Sequence, residues 1–422
     1  MNNDFLTALR HNTHFLDASA QVHMPEGLYR HFYQWAFTDA NQQRDIWLQL
    51  IGLTQTVKMT SELLNGLVGD DQWQDLIHYS TVMNAYLVFE TVSDNLGIGL
   101  IYPENAHLRE HVTTFNNAML ARLDNRKTDW QLAMGKLATH MDVSGFAQSL
   151  SPQKYQQIAN LYVYQHPSVN VCDLEFGLFP SLVANIETCY VLYKQCDLLH
   201  GGAMVQTGLR ARYESVNLLV NMPDMPLDER ISVSTDAILV APVLGYYVAV
   251  LAECLYNLSD FADVLASGHL DVALREASLI VRLLNDLGAL TRLSAHETDG
   301  LVATIQREAQ PNETIMEVII RAKIGTHITR LQKDAQHGEF NLALHGIGDQ
   351  PVCESSLKAL ADRLTYLRAV YKTSYNNMEK ALFQIEQHEG HGFIRTLIHR
   401  FVRFHELMYG NSYKAETGEY AI

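Results

Sequence analysis

The chain has 422 residues, of which 47% are hydrophobic and 18% are charged, a composition that excludes a disordered chain and a small disulfide scaffold. Lysine and arginine number 31 against 47 for aspartate and glutamate, so the formal net charge is −16. This acidic balance disfavours a broad surface for nucleic acid or anionic lipid, and we expect no nucleic acid partner. The five cysteines form no C-x-x-C pair, and we interpret them as reduced thiols of a cytoplasmic protein.

The beginning of the chain carries no visible targeting signal. Residues 1–6 (M-N-N-D-F-L) lack the basic start and apolar run of a secretory signal. The longest apolar stretch without a charge, residues 237–252, is short for a membrane-spanning helix and contains Pro242 and Gly245. We therefore expect no transmembrane segment.

Hydrophobic periodicity predicts helices along most of the chain, because apolar residues recur at three and four positions and only ten prolines interrupt them. Two stripes of this kind are Leu270, Leu274, Ala277, Val281, Leu284 and Gly288, and Leu357, Leu360, Leu364, Leu367 and Val370. Strand patterns are nearly absent. The sequence predicts an all-α fold built as a single large helical domain over residues 61–410, with residues 1–60 as a helical extension that packs on it and residues 411–422 as a C-terminal tail.

The first candidate site lies in residues 78–100, which are apolar nearly all round and predict a central helix. Glu90 and Asp94 are four residues apart, so both carboxylates share one face of this helix. Carboxylates in such surroundings are costly unless they are paired, protonated or bound to a metal. The alternative is a partly buried salt bridge, or a helix end that reaches solvent just before Gly97.

The second candidate site lies in residues 271–291, where another apolar stripe carries a polar cluster. Arg282, Asn285 and Asp286 stand at i, i+3 and i+4, so they converge on one side of the helix. Such a cluster could hold a hard cation together with an anionic ligand, because Mg²⁺ takes oxygen donors and arginine pairs with phosphate. The alternative is an Arg–Asp ion pair that closes a helix face.

These segments carry a family resemblance. Residues 282–288 (R-L-L-N-D-L-G), which continue through residues 297–305, resemble the second metal-binding helix of class I terpene synthases, the isoprenoid synthase family. Residues 90–96 (E-T-V-S-D-N-L) are similar to that family's first, Asp-rich motif. Residues 242–245 (P-V-L-G) resemble the broken helix that the fold places near the diphosphate. The three matches occur in the family's order and imply its α-bundle across most of the chain.

The resemblance implies a carbon–oxygen lyase that ionises a linear isoprenyl diphosphate in an apolar helical pocket with Mg²⁺. It implies that the metal ligands are Glu90, Asp94, Asn285, Asp286 and Glu297. It further implies that the catalytic residues are Asp94, Asn285 and Asp286, and that the diphosphate binds to Arg282, Arg395 and Arg403. The expected partner is the isoprenyl diphosphate itself, and a homodimer is an assembly to test.

The second motif departs from the family pattern at two positions. Ala289 stands where the family has Ser or Thr, and Leu293 where it has Glu, while Glu297 comes one turn later. We therefore expect a weak or partial dependence on Mg²⁺, with arginine side chains supplying the missing positive charge. Arg230 is the arginine nearest to residues 237–252, but it comes earlier in the sequence than the family's diphosphate-sensing arginine.

Two other functions remain open. A helical di-iron or haem-oxygenase-like oxidase would use Glu-x-x-His ligands, and the chain has one such pair, Glu104 and His107. A non-catalytic helical scaffold with a decayed site would explain the incomplete motifs. Arg395, His399 and Arg403, spaced at i, i+4 and i+8, could close over a diphosphate, form a solvated helix face, or form an intramolecular strip of ion pairs.

Overall fold

A computed structural model describes residues 2–102, 105–138, 152–174, 178–388 and 390–410 of the chain. Within these ranges the regular secondary structure is helical, and apart from one isolated bridge between Thr314 and Pro351 there is no β-structure. The predicted all-α fold is thus confirmed. None of the five cysteines, all of which lie in the described residues, forms a disulfide bond.

The described residues divide into two compact units, which fall within Met1–Gly97 with Glu110–Leu199 and within Ile98–Arg109 with His200–Lys414. In chain order the first ten helices are α1 (Asn2–His23), α2 (Leu28–Ala36), α3 (Arg44–Leu50), α4 (Leu53–Leu64), α5 (Trp73–Asp94), α6 (Ala106–Leu123), α7 (Lys127–Ala138), α8 (Pro152–Gln165), α9 (Val171–Leu174) and α10 (Leu178–Gln195). The others are α11 (Gly202–Asn221), α12 (Leu227–Asp236), α13 (Val240–Ala249), α14 (Phe261–Ala266), α15 (His269–Leu287), α16 (Ala295–Glu308), α17 (Ile315–Arg321), α18 (Thr329–His337), α19 (Glu354–Ile385) and α20 (Gly392–Gly410).

In the first unit, α5 is the central helix that its all-round apolar sequence predicts. It packs against α1, α4 and α10, and most of its residues are buried. Side chains from α1 to α4 belong to the same buried cluster as Val88 and Phe89 of α5. Aromatic rings meet edge to face in this cluster, with the centroid of Phe32 5.5 Å from that of Trp47, an arrangement that adds to the stabilisation from burial.

A buried ion pair also joins α6 to α10 in the first unit. The Arg122 guanidinium donates from Nε and Nη2 to the two carboxylate oxygens of Glu187 at 3.0 and 2.9 Å, and its Cζ lies 3.3 Å from the ring centroid of Tyr190. The side chain of Arg122 is 4% exposed and that of Glu187 is 18% exposed. Two parallel hydrogen bonds in a dry site make this a strong contact.

The second unit is built around α15, which packs against α13, α19 and α20. The predicted stripe is confirmed, because Leu270, Leu274, Ala277, Val281 and Leu284 are all buried. The α15 helix ends at Gly288, whose φ of 52° lies in the left-handed region. A Cβ atom there would lie 2.8 Å from both Arg330 Cγ and the carbonyl oxygen of Tyr409, so glycine is required on two grounds.

The apolar stretch that contains Pro242 forms α13 and passes directly into a π-helix, Val250–Leu255. Pro242 lies in the first turn of α13, where a missing N–H group costs little. The π-helix carries Glu253, whose carboxylate accepts the N–H groups of His200 and Gly201 at 2.6 and 2.8 Å. Glu253 thereby caps the N-terminus of α11.

Candidate functional site

The C-terminal end of α15 brings Arg282 and Asp286 together, as their spacing predicts. Arg282 Nη2 lies 2.6 Å from Asp286 Oδ1, and the Asp286 side chain is 0% exposed. The other carboxylate oxygen, Oδ2, accepts the N–H group of Leu342 at 2.9 Å. Oδ2 thus accepts a hydrogen bond, whereas the buried Oδ1 is in charge contact with Arg282 and accepts no hydrogen bond within the described residues. The ion pair is the one that the alternative interpretation describes.

Asn285 is held in a similar way by α18. Arg330 donates from Nε to the Asn285 carbonyl oxygen at 2.7 Å and from Nη2 to its side-chain oxygen at 2.5 Å. Asn341 Nδ2 donates to the carbonyl oxygen of Asp286 and to Oδ2 of Asp334, at 2.9 and 2.7 Å. These contacts attach the end of α15 to residues 330–342.

This arrangement does not fit Mg²⁺. The ion needs free oxygen donors in near-octahedral geometry, whereas the side-chain oxygens of Asn285 and Asp286 already accept from or pair with guanidinium and N–H groups. A cation would also have to displace Arg282 from a site with no exposed Asp286 surface. Within the described residues, no group of three or more His, Cys, Asp or Glu side chains could hold a metal ion. The ligand role of this motif stays a prediction from the resemblance.

Arg230 comes earlier in the sequence than the family's diphosphate-sensing arginine. Its side chain nevertheless lies in the same polar cluster as Arg282 and Asp286. Its side chain is buried, Nη1 donates to the Pro223 carbonyl oxygen at 3.1 Å, and its Cζ lies 4.6 Å from the ring centroid of Phe340. Burial and then the charge of Arg282 lower the pKa of Arg230 to about 10, against the opposing effect of Asp286. No local sequence signal connects Arg230 with residues more than fifty positions away.

Asp334 is the second buried carboxyl group of this cluster. It is 2% exposed, and burial raises its pKa to about 7, opposed by Arg330, whose Nη2 lies 3.6 Å away. The folded protein therefore holds the Asp334 proton more tightly than the unfolded chain does. For such a group, stability is fully present at low pH and is lost as the pH rises from about 4 towards 7.

We expect Asp334→Asn to become more stable relative to the wild type as the pH rises from 5 to 8, because asparagine keeps the acceptor for Asn341 without a buried charge. Urea unfolding of both proteins at four pH values measures this difference. Asp299→Asn, at an exposed position of α16, is the control. A difference between Asp334→Asn and the wild type that is constant across this range would contradict the expectation.

The other predicted site residues occupy different places. Glu297 lies on α16, where its carboxylate accepts the Ser294 N–H group at 2.7 Å in a capping box, and these hydrogen bonds lower its pKa. In the first unit, Glu90 is buried and accepts from Ser93 Oγ at 2.9 Å, while Asp94 is the last residue of α5 and is exposed.

The predicted diphosphate-binding arginines of α20 also differ from one another. Arg395 forms ion pairs with Glu379 and Glu386, the second at 2.6 Å, which matches the alternative of an intramolecular strip. Arg403 is exposed. Glu104 of the Glu-x-x-His pair and the tail of residues 411–422 lie outside the described residues.

A cleft of about 500 Å³ opens in the second unit. Its walls come from α11, α13 and the N-terminal half of α15, together with the C-terminal ends of α12 and α14. Most of the lining side chains are apolar or small. They include Ala203, Met204, Gly208, Ala211, Ala241, Pro242, Leu265 and Leu274. The charged side chains of the lining are Asp236, Asp271 and Arg275, and His200 also lies in it. Sequence reasoning missed this cleft, because it depends on how the successive helices between residues 200 and 278 pack together and no motif marks that packing.

Comparison of the chain with protein-family models, with curated proteins and with solved structures found no match. One stretch of the described residues, Leu227–Leu255, is long and apolar enough to cross a membrane, with a mean hydropathy of 2.0 in its most apolar window. Since 72% of that window is buried, a core helix explains it equally, and it is weak evidence for a membrane span.

Proposed function

We propose that this chain is an enzyme that acts on a linear isoprenyl diphosphate in the manner of a class I terpene synthase, and that the cleft holds the hydrocarbon chain. The cleft carries the proposal. Its volume of about 500 Å³ is in the range of small-molecule sites, and a mostly apolar lining with a few polar groups is typical of them. The helix with the R-L-L-N-D-L-G segment, α15, supplies one of its walls.

In this reaction, departure of diphosphate leaves an allylic cation that must be kept from water. The cleft offers an apolar surface against which the hydrocarbon chain of the substrate can fold, and this surface includes Met204, Pro242 and Leu274. Positive charge has to meet the departing diphosphate, and a metal at Asn285 and Asp286 does not supply it in this structure, because those side chains are already engaged.

A specific observation favours a second candidate, a non-catalytic helical protein. The ion pair of Arg282 with Asp286 and the bonds of Arg330 to Asn285 account for every residue of the second motif that matches the family. If these contacts are the role of the second motif, the motif stabilises the fold and does not imply a catalytic activity. The two candidates differ in whether the chain turns over an isoprenyl diphosphate.

Turnover is expected when the purified protein is incubated with C10, C15 and C20 isoprenyl diphosphates, with and without Mg²⁺. Gas chromatography with mass spectrometry detects the hydrocarbon product, and a phosphate assay detects diphosphate. Ala203→Trp, which places a large ring in the cleft, should reduce turnover at least about tenfold by occupying the hydrocarbon site. Ala262→Trp, at an exposed position of α14 outside the cleft lining, is the matched control.

No turnover of any of the three diphosphates would contradict the proposed enzyme and favour the non-catalytic candidate. Equal turnover by the Ala203→Trp and Ala262→Trp proteins would show that the reaction occurs elsewhere than in the cleft.

A further inference from the structure

We infer that Arg275, rather than Arg282, binds the charged head group of the ligand that occupies the cleft. This inference rests on the proposed function for the class of ligand, a phosphate-bearing isoprenoid. Asp271, Leu274, Arg275 and Ser278 stand at i, i+3, i+4 and i+7 on α15, and all four line the cleft, as residues on one helical face should. Arg275 is the only Arg or Lys among the lining residues that the structure describes.

Arg275 is available for a ligand in a way that two of the predicted arginines, Arg282 and Arg395, are not, and the third, Arg403, is not among the residues that line the cleft. Arg282 lies 2.6 Å from the buried Asp286, and Arg395 pairs with two glutamates. In the described part of the chain the one hydrogen bond of the exposed Arg275 side chain runs from Nη2 to Ser232 Oγ at 3.0 Å. A guanidinium group has five N–H donors, so most of the donors of Arg275 can turn to a phosphate.

Most of the apolar lining of the cleft lies on α11 and α13, whereas its charged side chains Asp236, Asp271 and Arg275 lie on α12 and α15. Gly208 of α11 and Pro242 of α13 approach so closely that a Cβ atom on Gly208 would lie 3.1 Å from Pro242 Cδ. This close, apolar wall suits a hydrocarbon, whereas a phosphate there would lose its hydration without a partner. A ligand with both parts therefore places its chain against α11 and α13 and its phosphate at Arg275 on α15.

Two carboxylates in the cleft oppose the binding of an anionic head group at Arg275. Asp236 and Asp271 line the cleft together with Arg275. Burial raises the pKa of Asp236, and the charge of Arg275 opposes this effect. These carboxylates repel an anionic head group, so Arg275 has to outweigh them through paired N–H bonds to phosphate oxygens. Removing the charge of Asp236 should then strengthen the binding of a phosphate and weaken that of an amine.

Three ligands with the same C10 chain test the inference by titration calorimetry: geraniol, geranylamine and the unreactive geranyl thiolodiphosphate. The wild type should bind the thiolodiphosphate most tightly. Arg275→Met should weaken that binding roughly tenfold to a hundredfold, the scale of losing charged hydrogen bonds, and should leave geraniol binding unchanged. Asp236→Asn should tighten thiolodiphosphate binding. Arg307→Met, at a surface position with 68% side-chain exposure, is the control and should change nothing.

The outcomes separate the inference from the proposed function. If geraniol binds but Arg275→Met binds the thiolodiphosphate as the wild type does, the assignment of Arg275 is wrong while the hydrocarbon site stands. The assignment is also wrong if geranylamine binds more tightly than the thiolodiphosphate, because the carboxylates then dominate. If the wild type binds none of the three ligands, the proposed function and the assignment of Arg275 are both contradicted.

Discussion

Replacing Asp286 with asparagine is expected to lower the free energy of unfolding by about 3 kcal/mol, the lower end of the range for breaking a buried ion pair. Asp286 is 0% exposed and Arg282 is 18% exposed, with 2.6 Å between their charged atoms, so the variant leaves a mostly buried guanidinium without its counter-charge. The bond from the Leu342 N–H group can persist to the asparagine oxygen, which limits the loss. Urea unfolding followed by circular dichroism measures it.

The exposed Asp299→Asn variant is the control for this measurement and should change stability by less than about 0.5 kcal/mol. A metal-binding Asp286 would behave differently. Its replacement would leave stability unchanged without metal, and adding Mg²⁺ would raise the melting temperature of the wild type alone, because a ligand that binds the folded state stabilises it. That result would contradict the structural role and restore the ligand role.

A loss of about 3 kcal/mol is also expected for Glu187→Gln in the first unit. The Arg122 side chain is 4% exposed and donates two hydrogen bonds to Glu187, so the neutral amide would leave a mostly buried positive charge without its counter-charge. Glu214→Gln is the matched control, because Glu214 lies 3.6 Å from Arg210 with 53% side-chain exposure. Exposed pairs contribute between about 0 and 1 kcal/mol.

A double variant, Arg122→Met with Glu187→Leu, gives the second arm of this experiment. It removes both charges and keeps an apolar contact for Tyr190, so it should be more stable than Glu187→Gln alone. If Glu187→Gln were no less stable than Glu214→Gln, the pair would be of the weak kind found on protein surfaces, and its burial would have no energetic consequence.

The helical character of the fold could be predicted because it depends on local patterns. The stripe from Leu270 to Leu284 is buried as its spacing requires, and the all-round apolar sequence of α5 predicted a central helix. The division of the chain near residue 200 could not be predicted. Gly201 and Gly202 mark no linker composition there, and the grouping depends on which distant helices contact each other.

Contacts between residues that are distant in the sequence also decide the structure of the candidate site, and the sequence did not predict them. The spacing of Arg282 and Asp286 was sufficient to predict that they meet, but it could not show what else binds Asp286. Its second partner, Leu342, and the partner of Asn285, Arg330, lie 56 and 45 residues further along the chain. Likewise, the end of α15 at Gly288 places Glu297 on another helix, which a motif read in one helical register cannot anticipate.

The carboxylate of Glu253 limits how far the N-terminus of α11 can attract an anion into the cleft. The N-terminus of a helix carries about half a positive charge and commonly binds anions. The α11 helix begins at the edge of the cleft, directly after His200 and Gly201. Because Glu253 accepts the N–H groups of His200 and Gly201, a carboxylate of the fold already lies at the positive end of this helix and opposes its dipole. Recognition of an anionic ligand then depends more on a charged side chain, whose reach and charge a single substitution can change, than on this helix N-terminus.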